Sequence, residues 1–301
     1  MIAAAAAIVP RSVTAAPAGP GRWEMRAPMP SMRTEVAAAL VGTKIYVVGG
    51  LVPRDVTSVV EEYDVATNIW RRVASMPQAL HHTTAVSVGG KLYVIGGFTG
   101  AWDPVNTVYE YDPAADRWRT RTPMPTARGA PAAATLAGKN YVMAGDTRRG
   151  DSTANEEYDP ASDTWRRRAR VPTARNHLAA ATMGELIYTF AGRVGGRNLA
   201  VTEIYNTAAD TWSRGTPIPT PRSGIAAAAL GRLIYVFGGE LGQPTTYAEN
   251  EAYDPASNTW SSKAPLPTAR HGLAAVTAGD RIYVISGGPR PGGSFSNVNE
   301  V

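Results

Sequence analysis

Short runs of small or apolar residues alternate with glycine turns and polar stretches along the whole chain. One unit reads KLYVIGG at residues 91–97, then a polar loop, then VYEYDPAADRW at residues 108–118. The apolar runs are short and bounded by turn residues, which favours buried strands over helices. The pattern therefore predicts an all-β chain built from one repeated unit.

Three residue types mark the unit with a period of 47 or 48 residues. They are a tyrosine in the second apolar run, the glycine that ends that run, and a tryptophan at the close of the unit. The six tyrosines are Tyr46, Tyr93, Tyr141, Tyr188, Tyr235 and Tyr283. The six tryptophans are Trp23, Trp70, Trp118, Trp165, Trp212 and Trp260. A repeat of nearly 50 residues predicts a propeller with one unit per blade.

Each unit is expected to supply four strands, lettered a to d from the ring axis outward. Strand a is rich in small residues, as in IAAAALGR, which suits the crowded inner end of a blade. Strand b is β-branched and aromatic, as in IYVVGG, and its closing glycines indicate positive φ or a close neighbouring backbone. Strand c carries the YD pair, and strand d carries the tryptophan.

The two ends of the chain predict how the ring closes. Residues 296–301, SNVNEV, stop within a strand c, whereas residues 21–30, GRWEMRAPMP, form a strand d with no preceding a, b or c. The two fragments complete one another. We therefore expect six four-stranded blades, with the N-terminal strand joining the C-terminal blade.

Paired glycines after a Tyr-containing strand, the YD pair and the following tryptophan resemble the Kelch repeat. The resemblance covers residues 22–301, although Ala144, Ala191 and Ser286 replace the first glycine in three copies. It implies a six-bladed Kelch propeller, a fold commonly used as a binding module, and leaves the ligand open.

Composition and the N-terminal segment limit the chemistry that the protein can use and the cell compartments in which it could be located. The chain has 301 residues, no cysteine and a net charge of +5, so disulfides, thiolate nucleophiles and cysteine metal clusters are excluded. Residues 21–301 are assigned to the propeller, and residues 1–20 to a disordered tail or the remnant of a signal segment. The protein is extracytoplasmic if residues 1–16 are such a remnant, and otherwise cytoplasmic. No apolar run is long enough to span a bilayer. We expect a monomer without a cofactor.

Arginines gather at one end of the predicted blades. Turns entering strand a and the loops between b and c share that end, and arginine enters strand a in five of the six units. These five are Arg33, Arg128, Arg175, Arg222 and Arg270, with Leu80 in the second unit. In Kelch domains that bind acidic peptides, arginines at this position contact the ligand, so the resemblance makes these five candidate ligand-binding residues. The alternative is that they pair with neighbouring carboxylates. Trp102 and Arg193 lie in b-to-c loops at the same end and join the candidate ligand site.

Glutamate and histidine occupy the position two residues after the arginine in three units, as Glu35, His82 and His177. Such a set around one ring is compatible with a transition metal. Ordinary hydrogen-bonded histidines are the simpler interpretation, and no metal site is assigned.

Two classes of function compete. The primary prediction is a non-enzymatic binding module that recognises an acidic peptide or sugar acid at an arginine-lined mouth of the channel. The alternative resembles Kelch propellers that interconvert the anomers of sialic acid, with Glu35 or Glu240 and a histidine, His82 or His177, exchanging the proton. A nucleic-acid partner is not expected, because few aromatic residues interleave with the arginines.

Overall fold

The computed structural model describes residues 21–241 and 244–301, and every regular element within them is a β-strand. This confirms the all-β prediction. Because these residues form no helix, they contain no helical segment that could cross a membrane. The prediction of a tail or signal remnant at residues 1–20 lies outside the described residues.

The strands of the first three units follow one another in chain order. They are β1 (Ala37–Val41), β2 (Lys44–Val48), β3 (Leu51–Val52), β4 (Asp55–Val56), β5 (Val60–Asp64), β6 (Ile69–Val73), β7 (Thr84–Val88), β8 (Lys91–Ile95), β9 (Val108–Asp112), β10 (Arg117–Thr120), β11 (Ala132–Leu136), β12 (Lys139–Met143), β13 (Asp146–Thr147), β14 (Gly150–Asp151), β15 (Asn155–Asp159) and β16 (Thr164–Arg167).

The remaining units continue the series. They contain β17 (Ala179–Met183), β18 (Leu186–Phe190), β19 (Arg193–Val194), β20 (Arg197–Asn198), β21 (Thr202–Asn206), β22 (Thr211–Arg214), β23 (Ala226–Leu230), β24 (Leu233–Phe237), β25 (Asn250–Asp254), β26 (Thr259–Ser262), β27 (Ala274–Ala278), β28 (Arg281–Ile285) and β29 (Asn299–Glu300).

These strands form six antiparallel blades in the predicted a-b-c-d order. Blade 1, for example, has the order β1-β2-β5-β6, and the pairs β3-β4, β13-β14 and β19-β20 are small hairpins within b-to-c loops. The alanine-rich innermost strands lie side by side around the axis, from β1 through β7, β11, β17, β23 and β27 and back to β1. Small side chains thus occupy the narrow end of each blade, as predicted.

The hydrophobic core lies between blades. The indole N–H of each repeated tryptophan donates to a backbone carbonyl of the neighbouring blade at 2.8–3.0 Å, as from Trp118 to Ala74. In blades 1–5 the tyrosine of strand c packs on the tryptophan of the same blade, with ring centroids 4.9 Å apart for Tyr111 and Trp118. The periodic aromatic residues therefore hold adjacent blades together.

The N-terminal segment completes the sixth blade, as the sequence predicted. Glu24 and Val301 exchange backbone hydrogen bonds at 2.8 and 2.9 Å, so this segment pairs with strand c from the other end of the chain. Trp23 donates to Ala264, which continues the tryptophan pattern across the joint. The ring is thus closed by antiparallel pairing between the two ends of the propeller.

Candidate functional site

One end of the channel is narrowed by a closed ring of six backbone hydrogen bonds. Each blade contributes one residue, two positions after the arginine position, and its N–H donates to the carbonyl of the neighbouring blade's residue at 2.8–3.1 Å. The six residues are Glu35, His82, Ala130, His177, Gly224 and Gly272, and their φ angles lie between 48° and 66°. We call this the axial ring. It encloses a cavity of about 80 Å³.

The residues next to the axial ring are held by a second repeated contact. In every blade the residue before the ring position pairs with the residue after the second glycine of strand b, as His81 does with Phe98 and Asn176 with Arg193. That glycine has no room for a side chain: a Cβ at Gly145 would lie 2.9 Å from the Gly129 carbonyl oxygen. In every blade, the ring residue, the residue before it and the residue after the second glycine of strand b therefore lie at the same mouth. This confirms that the turns entering strand a and the b-to-c loops are at one end of the channel.

The five predicted ligand-binding arginines do not line this mouth. Their side chains are 0 % exposed, and each is paired with a glutamate of strand c in its own blade. The pairs are Arg33–Glu61, Arg128–Glu156, Arg175–Glu203, Arg222–Glu251 and Arg270–Glu300. Each guanidinium also donates to backbone carbonyls, or in one case a threonine hydroxyl, within the blade. The expectation that these five arginines line the mouth is thus wrong, and the alternative describes them: each buried arginine pairs with a buried glutamate inside its own blade.

His82 and Glu35 meet at the mouth in a contact that needs a proton. His81 Nε2 lies 3.0 Å from the Thr99 carbonyl, which only accepts, so neutral His81 carries its proton there. His82 Nδ1 must then donate to His81 Nδ1, 2.5 Å away. This leaves the His82 Nε2 lone pair facing Glu35 Oε2 at 3.2 Å. Two acceptors at this distance require a proton or a cation between them.

Burial shifts the two titrating groups in opposite directions. Burial raises the pKa of Glu35, with His271 acting against that shift. Burial, together with the neighbouring His177, holds the pKa of His82 well below its usual range. Both shifts favour the arrangement in which the shared proton is on the carboxyl of Glu35 rather than on His82.

His177 lies on the other side of His82, with ring centroids 4.8 Å apart. Its Nδ1 contacts the side-chain oxygen of Asn176, and its Nε2 accepts from Arg193 Nη2 at 2.9 Å. Arginine has no acceptor, so neutral His177 carries its proton on Nδ1. Burial and Arg193 hold the pKa of His177 well below its usual range.

Arg193 is the predicted ligand-binding arginine that does reach the mouth. It begins the β19–β20 hairpin, its side chain is 22 % exposed, and its Nη1 lies 2.9 Å from Glu240 Oε1. Glu240 occupies the equivalent position of the next blade. Arg193 was expected at this end from the sequence, but nothing in the sequence indicates that it pairs with Glu240.

His271 was not assigned a role from the sequence, although it too lies at this mouth. Its Nδ1 contacts the Gly288 carbonyl at 3.1 Å, and its Nε2 lies 3.5 Å from oxygens of both Glu35 and Glu240. Room for Glu35 comes from Gly272, where a Cβ would approach Glu35 Oε1 to 2.6 Å. The signal that points to His271 is that it precedes the ring position, as His81 does.

Trp102 extends the site toward solvent. Its side chain is 55 % exposed, and its ring centroid lies 4.4 Å from that of His81 and 5.3 Å from that of His82. A continuous row of side chains therefore runs from Trp102 through His82 and His177 to Arg193. The row offers an aromatic face at one end and a guanidinium at the other.

Six four-stranded antiparallel blades around a channel, with polar side chains at one mouth, define a six-bladed β-propeller with an axial candidate site. The KLHDC2/KLHL20/DRC7 Kelch-repeats domain matches residues 21–170 and 158–288. The chain belongs to the Kelch-repeat family.

One similar solved structure is that of the protein YjhT. It shares 15% sequence identity with this chain, the TM-score is 0.80, and the match covers 90% of this chain and 95% of that chain. At this identity the likeness shows a common fold. None of the curated proteins compared with the chain matches it.

Proposed function

We propose that this Kelch propeller is a binding module for a small acidic ligand of the sugar-acid class, held at the axial mouth. The observation that carries the proposal is the row from Trp102 to Arg193. Arg193 uses two of the five donors of its guanidinium on Glu240 and His177, and a carboxylate is the ligand that suits the rest. The exposed face of Trp102 suits the apolar face of a sugar ring.

Charge around the mouth supports an acidic ligand. The b-to-c loops surrounding the site carry exposed arginines at Arg54, Arg148, Arg149, Arg197 and Arg290. These side chains raise the local positive potential and would speed the approach of an anion. The mouth also contains two buried carboxylates, Glu35 and Glu240, on either side of His271. The carboxylate of the ligand therefore belongs at Arg193, and its hydroxyl groups belong near these two side chains.

The test is calorimetric titration of the purified protein with N-acetylneuraminic acid, with a neutral hexose and with an acidic peptide. We expect the sugar acid to bind and the Arg193→Gln variant to bind it at least about tenfold more weakly, the loss of a charge-assisted hydrogen bond. The matched control is Arg197→Gln, which removes an exposed arginine from the same hairpin. Equal binding by Arg193→Gln and the native protein would refute the proposal, as would preference for the neutral sugar.

The Glu35–His82 contact favours a second candidate function, anomer exchange of the bound sugar acid. An acid and an acceptor 3.2 Å apart could deliver and remove protons at the ring oxygen and the anomeric hydroxyl. The relaxation of the anomer ratio, followed by NMR, separates the two functions. Binding without faster relaxation supports the binding module. Faster relaxation that Glu35→Gln abolishes while binding persists supports the enzyme.

A further inference from the structure

We propose that Glu35, His82 and His177 form a binding site for a divalent transition-metal ion at the axial ring. Each offers one ligand atom, and the three atoms lie within 4.8 Å of one another. Two imidazoles and one carboxylate are a donor set that Zn²⁺, Co²⁺, Ni²⁺ and Fe²⁺ accept. The proposal does not depend on which organic ligand the mouth binds.

Hydrogen bonding has already selected the histidine tautomers that a metal needs. The Nδ1 proton of His82 is directed to His81, and that of His177 to Asn176. Both Nε2 atoms are therefore unprotonated: that of His82 faces Glu35, and that of His177 accepts from Arg193. A ligating imidazole whose other nitrogen donates to a neighbouring acceptor is the arrangement typical of metal sites.

The distance between His82 Nε2 and Glu35 Oε2 also suits two ligands of one tetrahedral metal ion. Ligands about 2.1 Å from a tetrahedral zinc ion are separated from each other by about 3.4 Å. The observed separation of His82 Nε2 and Glu35 Oε2 is 3.2 Å. A metal ion would thus replace the proton that this pair of acceptors otherwise requires, without a large movement of either side chain.

His177 must exchange one contact to join the site. Its Nε2 now accepts from Arg193 Nη2, and that hydrogen bond would give way to the metal. Arg193 keeps its contact with Glu240 through Nη1, so the loop that carries it remains attached. The released Arg193 donor would then be available to a ligand at the mouth, and three protein ligands would leave a coordination position of the ion open.

A second set of possible ligands shares Glu35 and comprises Glu35, Glu240 and His271. It is the less suitable set. His271 Nε2 lies equally far from both carboxylates, and an imidazolium there would satisfy them without a metal. Glu240 is also engaged by Arg193 and by the Gly292 N–H. Since Glu35 belongs to both sets, variants of the histidines distinguish them.

The test uses untagged, EDTA-treated full-length protein titrated with Co²⁺ and then with Zn²⁺. We expect visible ligand-field absorption from bound Co²⁺, its displacement by Zn²⁺, and a higher thermal midpoint with Zn²⁺ than with EDTA. His82→Gln and His177→Gln should each weaken binding at least about 100-fold, since each removes a ligand. His271→Gln keeps all three proposed ligands and is the matched control. Because His271 Nε2 lies 3.5 Å from Glu35, we expect this variant to weaken binding, but by less than His82→Gln or His177→Gln does.

Two outcomes would overturn the site. One is native protein that gives neither a Co²⁺ spectrum nor a Zn²⁺-dependent midpoint. The other is loss of binding in His271→Gln with binding kept in His177→Gln, which would assign the ion to the second set. Thermal midpoints in EDTA show that each variant is folded, so a loss of binding is not confused with a loss of structure.

Discussion

Removing one partner of the buried Arg128–Glu156 pair in blade 3 should destabilise the protein strongly. Both side chains are removed from solvent, and Arg128 Nη1 lies 2.5 Å from Glu156 Oε2. Arg128 also donates to the carbonyl oxygens of Thr126 at 3.0 Å and Val142 at 2.9 Å. Replacing Arg128 with leucine leaves a carboxylate buried without its counter-charge. Such a loss costs about 3–5 kcal/mol.

In blade 2 the positions equivalent to Arg128 and Glu156 are occupied by residues that carry no charge. There Leu80 stands in place of the arginine, Tyr109 in place of the glutamate, and Tyr109 donates to Gln78 at 3.2 Å. Leu80 is 0 % exposed, so it fills the space of the guanidinium without a charge. We therefore expect the triple variant Thr126→Gln/Arg128→Leu/Glu156→Tyr to recover most of the stability that Arg128→Leu loses, to within about 1 kcal/mol of the native protein.

Urea unfolding followed by tryptophan fluorescence measures these differences, because every blade contains a tryptophan at its blade-to-blade contact. Glu156→Gln is the reciprocal single variant and should be destabilised as well, since it leaves the guanidinium buried without its counter-charge. The reasoning is refuted if Arg128→Leu unfolds at the native urea concentration. It is also refuted if the triple variant is no more stable than Arg128→Leu alone.

Two further predictions concern closure and pH. Removing residues 1–30 should lower the thermal midpoint sharply, because it deletes the Trp23 contact and the outer strand of blade 6. The control is removal of residues 1–20 alone, which should leave the midpoint unchanged. Equal midpoints for the two truncated proteins would contradict the closure of the ring by this segment. Burial alone would raise the pKa of Glu62, but hydrogen bonds outweigh it and lower that pKa to about 2. The donors are Arg71, Lys44 and Tyr46. Glu62 therefore stabilises the fold above pH ~4.5 and loses that contribution as the pH falls toward 2. Arg71 is half exposed, so solvent screens its interaction with Glu62 and reduces the expected contribution. We expect Glu62→Gln to flatten the pH dependence of the unfolding free energy by about 2 kcal/mol over this range, and the exposed control Glu185→Gln to leave it unchanged. An unchanged pH profile in Glu62→Gln would count against this role of Glu62.

The fold could be predicted from the sequence because its determinants repeat. Each tryptophan makes the same contact in every blade, and each second glycine accommodates the same close backbone approach. A feature that recurs six times serves six similar places, and a closed ring makes all six equivalent because it has no terminal repeats. The pairing of residues 23–26 with residues 299–301 could be predicted in the same way. The last unit lacks a strand d, and the N-terminal segment has the sequence of one.

The arginine position was misinterpreted, although the sequence contained the signal that explains it. Strand c has glutamate two residues before its tyrosine in four units, and Glu300 occupies the same position in the last unit, next to Val301. The exception is Tyr109, in the unit where Leu80 replaces arginine. The two exceptions coincide because the two positions touch. Comparison of the repeats at both positions together indicates a buried ion pair, whereas the arginine position considered alone indicates a charged mouth.

The distances within the candidate site could not be predicted, since they depend on how closely the chain approaches the axis. His82 and His177 come from non-adjacent blades, yet their ring centroids are 4.8 Å apart. Their proximity results from the axial ring, in which six left-handed residues turn the backbone across the channel. Only two of these residues are glycine, so the conformation is not evident from residue type.

The axial ring also explains why chemistry is concentrated at this mouth. A left-handed residue other than glycine costs about 1 kcal/mol, and the backbone hydrogen bonds with both neighbouring blades hold it there. Ala130 adopts the same conformation with no chemical group, so the strain alone does not indicate function. The contrast between copies does indicate function. Glycine at Gly272 leaves the space that the Glu35 carboxyl occupies, and the side chain of His82 contacts both Glu35 and His177. The repeated backbone therefore supplies six equivalent places around one axis, and the differences among the six side chains make one asymmetric site.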